Sequence, residues 1–277
     1  MMEVDKINTC KGKTIQTDCD TQHFYVLPFM GVFVETIQQY KELLMGIKDR
    51  QESIIFERVF GILCYQRRIT SARNEVIKKP FLPMHPTSYI EGQSILGLPV
   101  AGIIIHTVDS NTKVKYIPDH GTVYGSQYKI GAVERLLVEG IQDPLIASGF
   151  SQTVAAEYNK VDRILSRTGF DPSNLVRTWH YIHPINEHYV AFNKERKAYF
   201  QRSNIGYATQ PECVPASTCI EGKCRKTGYS TMNLYYIKKL DNVRIKRVYS
   251  SDQKEADSTS YQYGPTFSRA LYVAQAG

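Results

Sequence analysis

Leu175-Val-Arg-Thr-Trp-His-Tyr-Ile-His-Pro-Ile-Asn186 is the stretch on which the reading of this sequence turns. Its first eight residues are rich in β-branched and aromatic side chains and predict a strand over Leu175 to Ile182. Successive side chains of a strand point to opposite faces, so His180 and Ile182 share one face while Trp179, Tyr181 and His183 share the other. A helix is expected over Tyr189 to Arg202. His180, His183 and His188 crowd this stretch. One of them could act as acid or base near neutral pH, the other reading being surface or hydrogen-bonded histidines at a strand end.

Working outward, Gly149 to Gly169 is the clearest helix, with Val154, Tyr158, Val161, Ile164 and Leu165 on one face and Gly169 as a stop signal. Downstream, strands are expected at Ser230 to Lys238, Val243 to Tyr249 and from near Arg269. Toward the N-terminus, residues 1–22 are polar with little pattern and read as a flexible arm. A strand over His23 to Val34 leads into a helix over Glu35 to Asp49, whose Ile37, Tyr40, Leu44 and Ile47 recur at spacings of three and four. Ile54 to Arg68 reads as another strand, and Pro80, Pro83 and Pro86 punctuate a loop. The run Val100 to Ile105 suits a buried strand, and Val114 to Ile117 and Thr122 to Tyr128 flank a turn at Asp119-His-Gly121. No repeat stands out. The alternation predicts an α/β (α+β) chain of two units, an N-terminal α/β domain over 23–150 and a second over 151–277.

The net charge of +7 and pI near 9.0 favour anionic partners. The basic residues are scattered, with no run of five or more, which argues against a nucleic-acid platform. No stretch approaches the roughly 18–20 apolar residues of a membrane span. With six cysteines in 277 residues and no signal-peptide pattern, the expected setting is the cytoplasm, with reduced thiols and no membrane partner. Cys213, Cys219 and Cys224 lack the paired spacing of a structural zinc site, and no metal is expected. No dinucleotide fingerprint, P-loop or nucleophile elbow is present. Gly264-Pro-Thr-Phe-Ser-Arg269 joins a rigid turn to a guanidinium fork suited to a carboxylate. The residues by themselves describe an α/β protein with a preference for anions.

Four ordered motifs in the last third (about residues 174 to 273) resemble the chorismatase family. Leu175 to Asn186 is similar to the family's Leu-x-Arg-x-Trp-Asn-Tyr-Ile-x-x-Ile-Asn segment. Tyr189-Val-Ala-Phe-Asn-Lys-Glu-Arg196 is similar to its Arg-Tyr-x-x-Phe-Asn-x-x-Arg. Val214-Pro-Ala-Ser-Thr218 matches a Pro-Ala-Ser/Thr strand entry, and Tyr263-Gly-Pro-Thr-Phe-Ser-Arg-Ala270 matches the family's Tyr-Gly-Pro and Phe-Ser-Arg-Ala elements. The sequence departs at Cys219, where the family often has Gly.

The resemblance implies a RidA/YjgF-like fold with no cofactor and a small-molecule substrate, chorismate. It implies chemistry of secondary metabolism: release of pyruvate from the enol-pyruvyl ether by a hydrolase or lyase, leaving a dihydroxy-cyclohexadiene carboxylate or 3-hydroxybenzoate. Arg269 and Tyr263 would grip a carboxylate, with Ser217 and Ser268 close by, while Arg177, Trp179, Asn186 and Arg196 would be scaffold or pocket wall. Family members continue past Phe-Ser-Arg-Ala to a Gly-His-Glu whose glutamate protonates the enol-ether methylene. On this resemblance the 277 residues are expected to end before that segment, leaving the second RidA-like half incomplete and the catalytic residue unassigned. The alternative expectation is a non-catalytic RidA-like module that binds a small anion or a partner chain.

Overall fold

The structure, a computed structural model, describes residues 13–16, 22–28, 33–77, 82–94, 96–143, 149–206, 214–223, 228–238, 243–248, 268 and 270–275. The chain divides into two units, Met1–Tyr128 and Lys129–Gly277.

In the first unit, β1 (Lys13–Gln16), inside the polar N-terminal segment, pairs antiparallel with β2 (Gln22–Pro28). α1 (Phe33–Asp49) buries Thr36, Tyr40, Leu43, Leu44 and Ile47, the three-and-four spacing of a helix that lays one face on a sheet. β3 (Ser53–Gly61) is buried along nearly its whole length, as suits a strand with neighbours on both sides. The strand expected through Arg68 ends at Gly61. After a 3-10 turn at Leu63–Tyr65, α2 (Gln66–Ile77) begins, because Ile69, Ala72, Val76 and Ile77 recur at helical spacing and give it a face to bury. β4 (Thr87–Glu91) then pairs parallel with β3, which makes β3–α2–β4 a crossover unit. β5 (Val100–Val108) runs antiparallel between β2 and β3, giving the order β1-β2-β5-β3-β4. Tyr40, Leu44 and Ile47 of α1, Ile69 and Val76 of α2, and Val59, Ile103 and Ile105 of the sheet form one core. Each such side chain contributes about 1.5–3 kcal/mol on burial.

β6 (Val114–Asp119) and β7 (Thr122–Ile130) form the hairpin expected around Asp119-His-Gly121. His120 and Gly121 both take positive φ, 46° and 79°, as a primed turn requires.

In the second unit the strands run in the order β10-β9-β11-β8. Here β8 is Val133–Ile141, β9 Leu175–Ile182, β10 Ala216–Glu221 and β11 Ser230–Ile237. α3 (Phe150–Leu165) and α4 (Ile185–Arg202) pack together, and β9–α4–β10 is again a parallel crossover. β11 is antiparallel to both β9 and β8. A hairpin of β12 (Val243–Val248) and β13 (Ala270–Gln275) lays Ile245, Leu271 and Val273 on Val133, Val176 and Ile237.

The two units share one topology. In chain order they read β2-α1-β3-α2-β4-β5 and β8-α3-β9-α4-β10-β11. In sheet order they read β2-β5-β3-β4 and β8-β11-β9-β10, with the same pair parallel and the same pairs antiparallel. This duplication has no visible sequence repeat, because a core face needs apolar volume and not a particular side chain.

Candidate functional site

The helix-facing side of β9 and β10 carries a row of polar side chains. Strand alternation places Thr178 and His180 of β9 on that face, and parallel pairing sets Ser217 beside Thr178 and Cys219 beside His180. Thr178 Oγ1 donates to Ser217 Oγ at 2.8 Å. From α4, Arg196 Nη1 donates to the same oxygen at 3.2 Å, and its Nη2 donates to Asn193 Oδ1 at 2.5 Å. Arg196 is the largest fully buried side chain among the described residues, 1% exposed, and its guanidinium lies 5.2 Å over the Phe192 ring. Ser217, on the outermost strand, is only partly buried.

Ser268 joins this edge from far along the chain. It bridges Ala216 in parallel. Its N–H donates to Pro215 O at 2.9 Å, its carbonyl accepts Ser217 N–H at 3.2 Å, and its hydroxyl donates to Val214 O at 2.8 Å. Ser217 and Ser268 are therefore brought together, with the Ser268 side chain turned into the backbone. Tyr263 and Arg269 lie outside the described residues, as do Cys213 and Cys224.

The three histidines do not converge. His180 is buried beneath α4 with its ring 4.6 Å from Phe192, and neither ring nitrogen has a hydrogen-bond partner among the described residues. Burial, reinforced by the Arg196 charge, holds it well below the ordinary imidazole range, so it stays neutral. His183 pairs with Glu221 at 3.1 Å on the surface, and His188 stacks on Phe150 at 4.3 Å. Cys219 is a free thiol pushed up to about 12 by burial, so it is protonated at neutral pH. No group of three or more His, Cys, Asp or Glu among the described residues is placed to hold a metal ion.

Arg177 points to the opposite face, where it donates to Thr218 Oγ1 and lies 5.2 Å over Trp179. Arg196, expected from the resemblance as scaffold or pocket wall, is buried with its guanidinium on Ser217 and Asn193. That burial had a sequence signal: Arg196 falls on the same α4 face as the buried Phe192, Tyr199 and Phe200, and an arginine in an apolar stripe needs buried acceptors.

One more ionisable group lies under this sheet. Glu157 of α3 is fully buried, accepting from Ser230 Oγ at 2.8 Å and from the Asp143 backbone. Burial pushes its carboxyl up to about 8, so it is a neutral acid at pH 7. No helix among the described residues is long and apolar enough to cross a membrane.

No family model matches the sequence, and no curated protein matches it. Solved structures do. The crystal structure of a chorismatase superposes with a TM-score of 0.63 over 84% of this chain and 79% of its own, at 9% identity. A YjgF-family protein of Neisseria meningitidis covers 46% of this chain and 96% of its own, at 15% identity and a TM-score of 0.36. The YjgF gene product of E. coli covers 45% and 93%, at 14% identity and a TM-score of 0.36. At 9% identity the likeness to the first is one of architecture, and the architecture of this chain is that of chorismatase.

Proposed function

We propose that this protein binds chorismate at the outer edge of β10 and acts on its enol-pyruvyl ether, releasing pyruvate. The second unit is then the chorismatase-like domain, and the reducing cytoplasm is its place of work. One observation carries the reading: the Val214–Thr218 and Tyr263–Ala270 motifs, some fifty residues apart, meet through the Ser217–Ser268 backbone pairing. Arg269 follows Ser268 directly in the chain. Chorismate has two carboxylates, and a hydroxyl backed by a buried guanidinium suits an anionic oxygen. The chorismatase architecture supports the same substrate class.

Isothermal titration with chorismate tests it. The wild-type chain is expected to bind and Arg269→Ala to lose binding; unchanged affinity in the variant sinks the assignment. Pyruvate release, followed with a lactate dehydrogenase couple, separates catalysis from binding alone. Binding without release points to a non-catalytic anion-binding module.

A further inference from the structure

We infer that the Ser217 hydroxyl is a committed hydrogen-bond donor to an anionic ligand oxygen, and that Arg196 and Thr178 are the positioning residues that commit it; this rests on the chorismate site proposed above. A hydroxyl has two acceptor lone pairs and one proton. Arg196 Nη1 fills one lone pair at 3.2 Å, and an arginine can only donate. Thr178 Oγ1 fills the other at 2.8 Å. The single proton of Ser217 is then left to donate, and Ser217 is only half-buried, so a ligand oxygen can take it. The backbone beneath it is pinned, since Ser217 N–H is bonded to Ser268 O at 3.2 Å.

Each feature selects for charge. A donor polarised by a cation bonds a carboxylate oxygen more strongly than a neutral hydroxyl does. A hydroxyl with both lone pairs occupied offers nothing to an ammonium or amide N–H. The guanidinium itself is too deep to be reached, at 1% exposed, so it acts on ligand through Ser217. His180 and Cys219, the neighbours along the row, are held uncharged by burial and add no competing anion. The site therefore takes a small carboxylate, and Ser217 is a specificity-determining contact.

The test is a double-mutant cycle read by chorismate titration. Ser217→Ala is expected to raise Kd about tenfold, the loss of one hydrogen bond to a charged group. Arg196→Lys should weaken binding in the Ser217 background and change nothing further in the Ser217→Ala background. Thr178→Val, which preserves shape should the arginine variant fail to fold, has a decisive sign. Weaker binding by about threefold means that Thr178 donates, as inferred. Tighter binding means that Ser217 donated to Thr178, and overturns the inference, as would additive effects or a wild-type Kd in Ser217→Ala. Should wild-type protein bind no chorismate, the proposed function falls and the hydroxyl is probed with pyruvate. Amide shifts at Ser217 and Thr218 that vanish in Ser217→Ala uphold the donor, and their absence in wild type refutes it.

Discussion

Glu57 on β3 and Glu157 on α3 are both fully buried beneath a helix-covered sheet, in two units of the same topology, and they ionise in opposite directions. Burial alone would raise both. Around Glu57, His85 Nε2 at 3.0 Å, the charge of Arg73, whose Nε lies at 3.1 Å, and the Tyr40 hydroxyl more than offset it, and the carboxyl is held below its ordinary value. Around Glu157, the Ser230 hydroxyl, the Asp143 amide and Lys160 offset burial only partly, and the Asp143 charge adds to it. The arginines differ in the same sense. Arg73 of α2 meets a carboxylate, whereas Arg196 of α4 meets an amide oxygen and a hydroxyl. One crossover helix, used twice, closes its charge internally in the first unit and turns it toward a hydroxyl at the sheet edge in the second. A buried network whose bonds all close on one another has nothing to offer a ligand; one that ends on a half-buried hydroxyl does.

The comparison can be broken by mutation, and the largest effect of a substitution at neutral pH belongs to the closed network. Glu57→Gln leaves Arg73 without its carboxylate, and urea unfolding of the first unit should show a loss of about 3–5 kcal/mol. A loss below about 1 kcal/mol would mean that the network closes through other groups. Next comes a pH dependence of opposite sign in the two units. Glu57, depressed when folded, contributes stability that is present at neutral pH and lost as pH falls through its folded value. Glu157 is raised to about 8, so its contribution is fully present below the unfolded carboxyl value near 4.5 and lost as pH rises toward about 8. Over that window wild-type protein should lose roughly 5 kcal/mol through the second unit, and Glu157→Gln should abolish the slope. A slope that survives in the variant assigns it to another group. The smallest effect is a pair of tyrosines. Tyr40 donates to Glu57, so Tyr40→Phe should cost about 1–2 kcal/mol by thermal melting. The Tyr158 hydroxyl is buried with no hydrogen-bond partner among the described residues, so Tyr158→Phe should stay within about 0.5 kcal/mol of wild type. Equal costs would erase the distinction between the closed and the open cluster.

Much of the second unit was legible in the sequence. β9 begins and ends where its β-branched and aromatic run does, and α3 follows its apolar stripe. β8 was not legible: Val133-Glu-Arg-Leu-Leu-Val-Glu-Gly-Ile141 mixes charges and leucines without alternation, and becomes a strand by pairing with β11. α2 was hidden because its first residues, Gln66-Arg-Arg68, follow a β-branched run that carried the expected strand too far. At the site, the motifs around Ser217 and Ser268 were visible as separate segments, and Arg196 was expected as scaffold or pocket wall, but its contact with Ser217 depends on how α4 packs over β9 and β10.

By itself, the sequence determined the periodic elements, the basic balance and the resemblance to chorismatases, since these depend on residue type and order along the chain. Only the tertiary structure decided that the two units share one topology and that Ser217 and Ser268 meet at one edge. It also decided that Arg196 stands behind a hydroxyl while Arg73 faces a carboxylate. Those outcomes depend on which side chains share a face after distant segments pair, and on the low dielectric that burial creates around them.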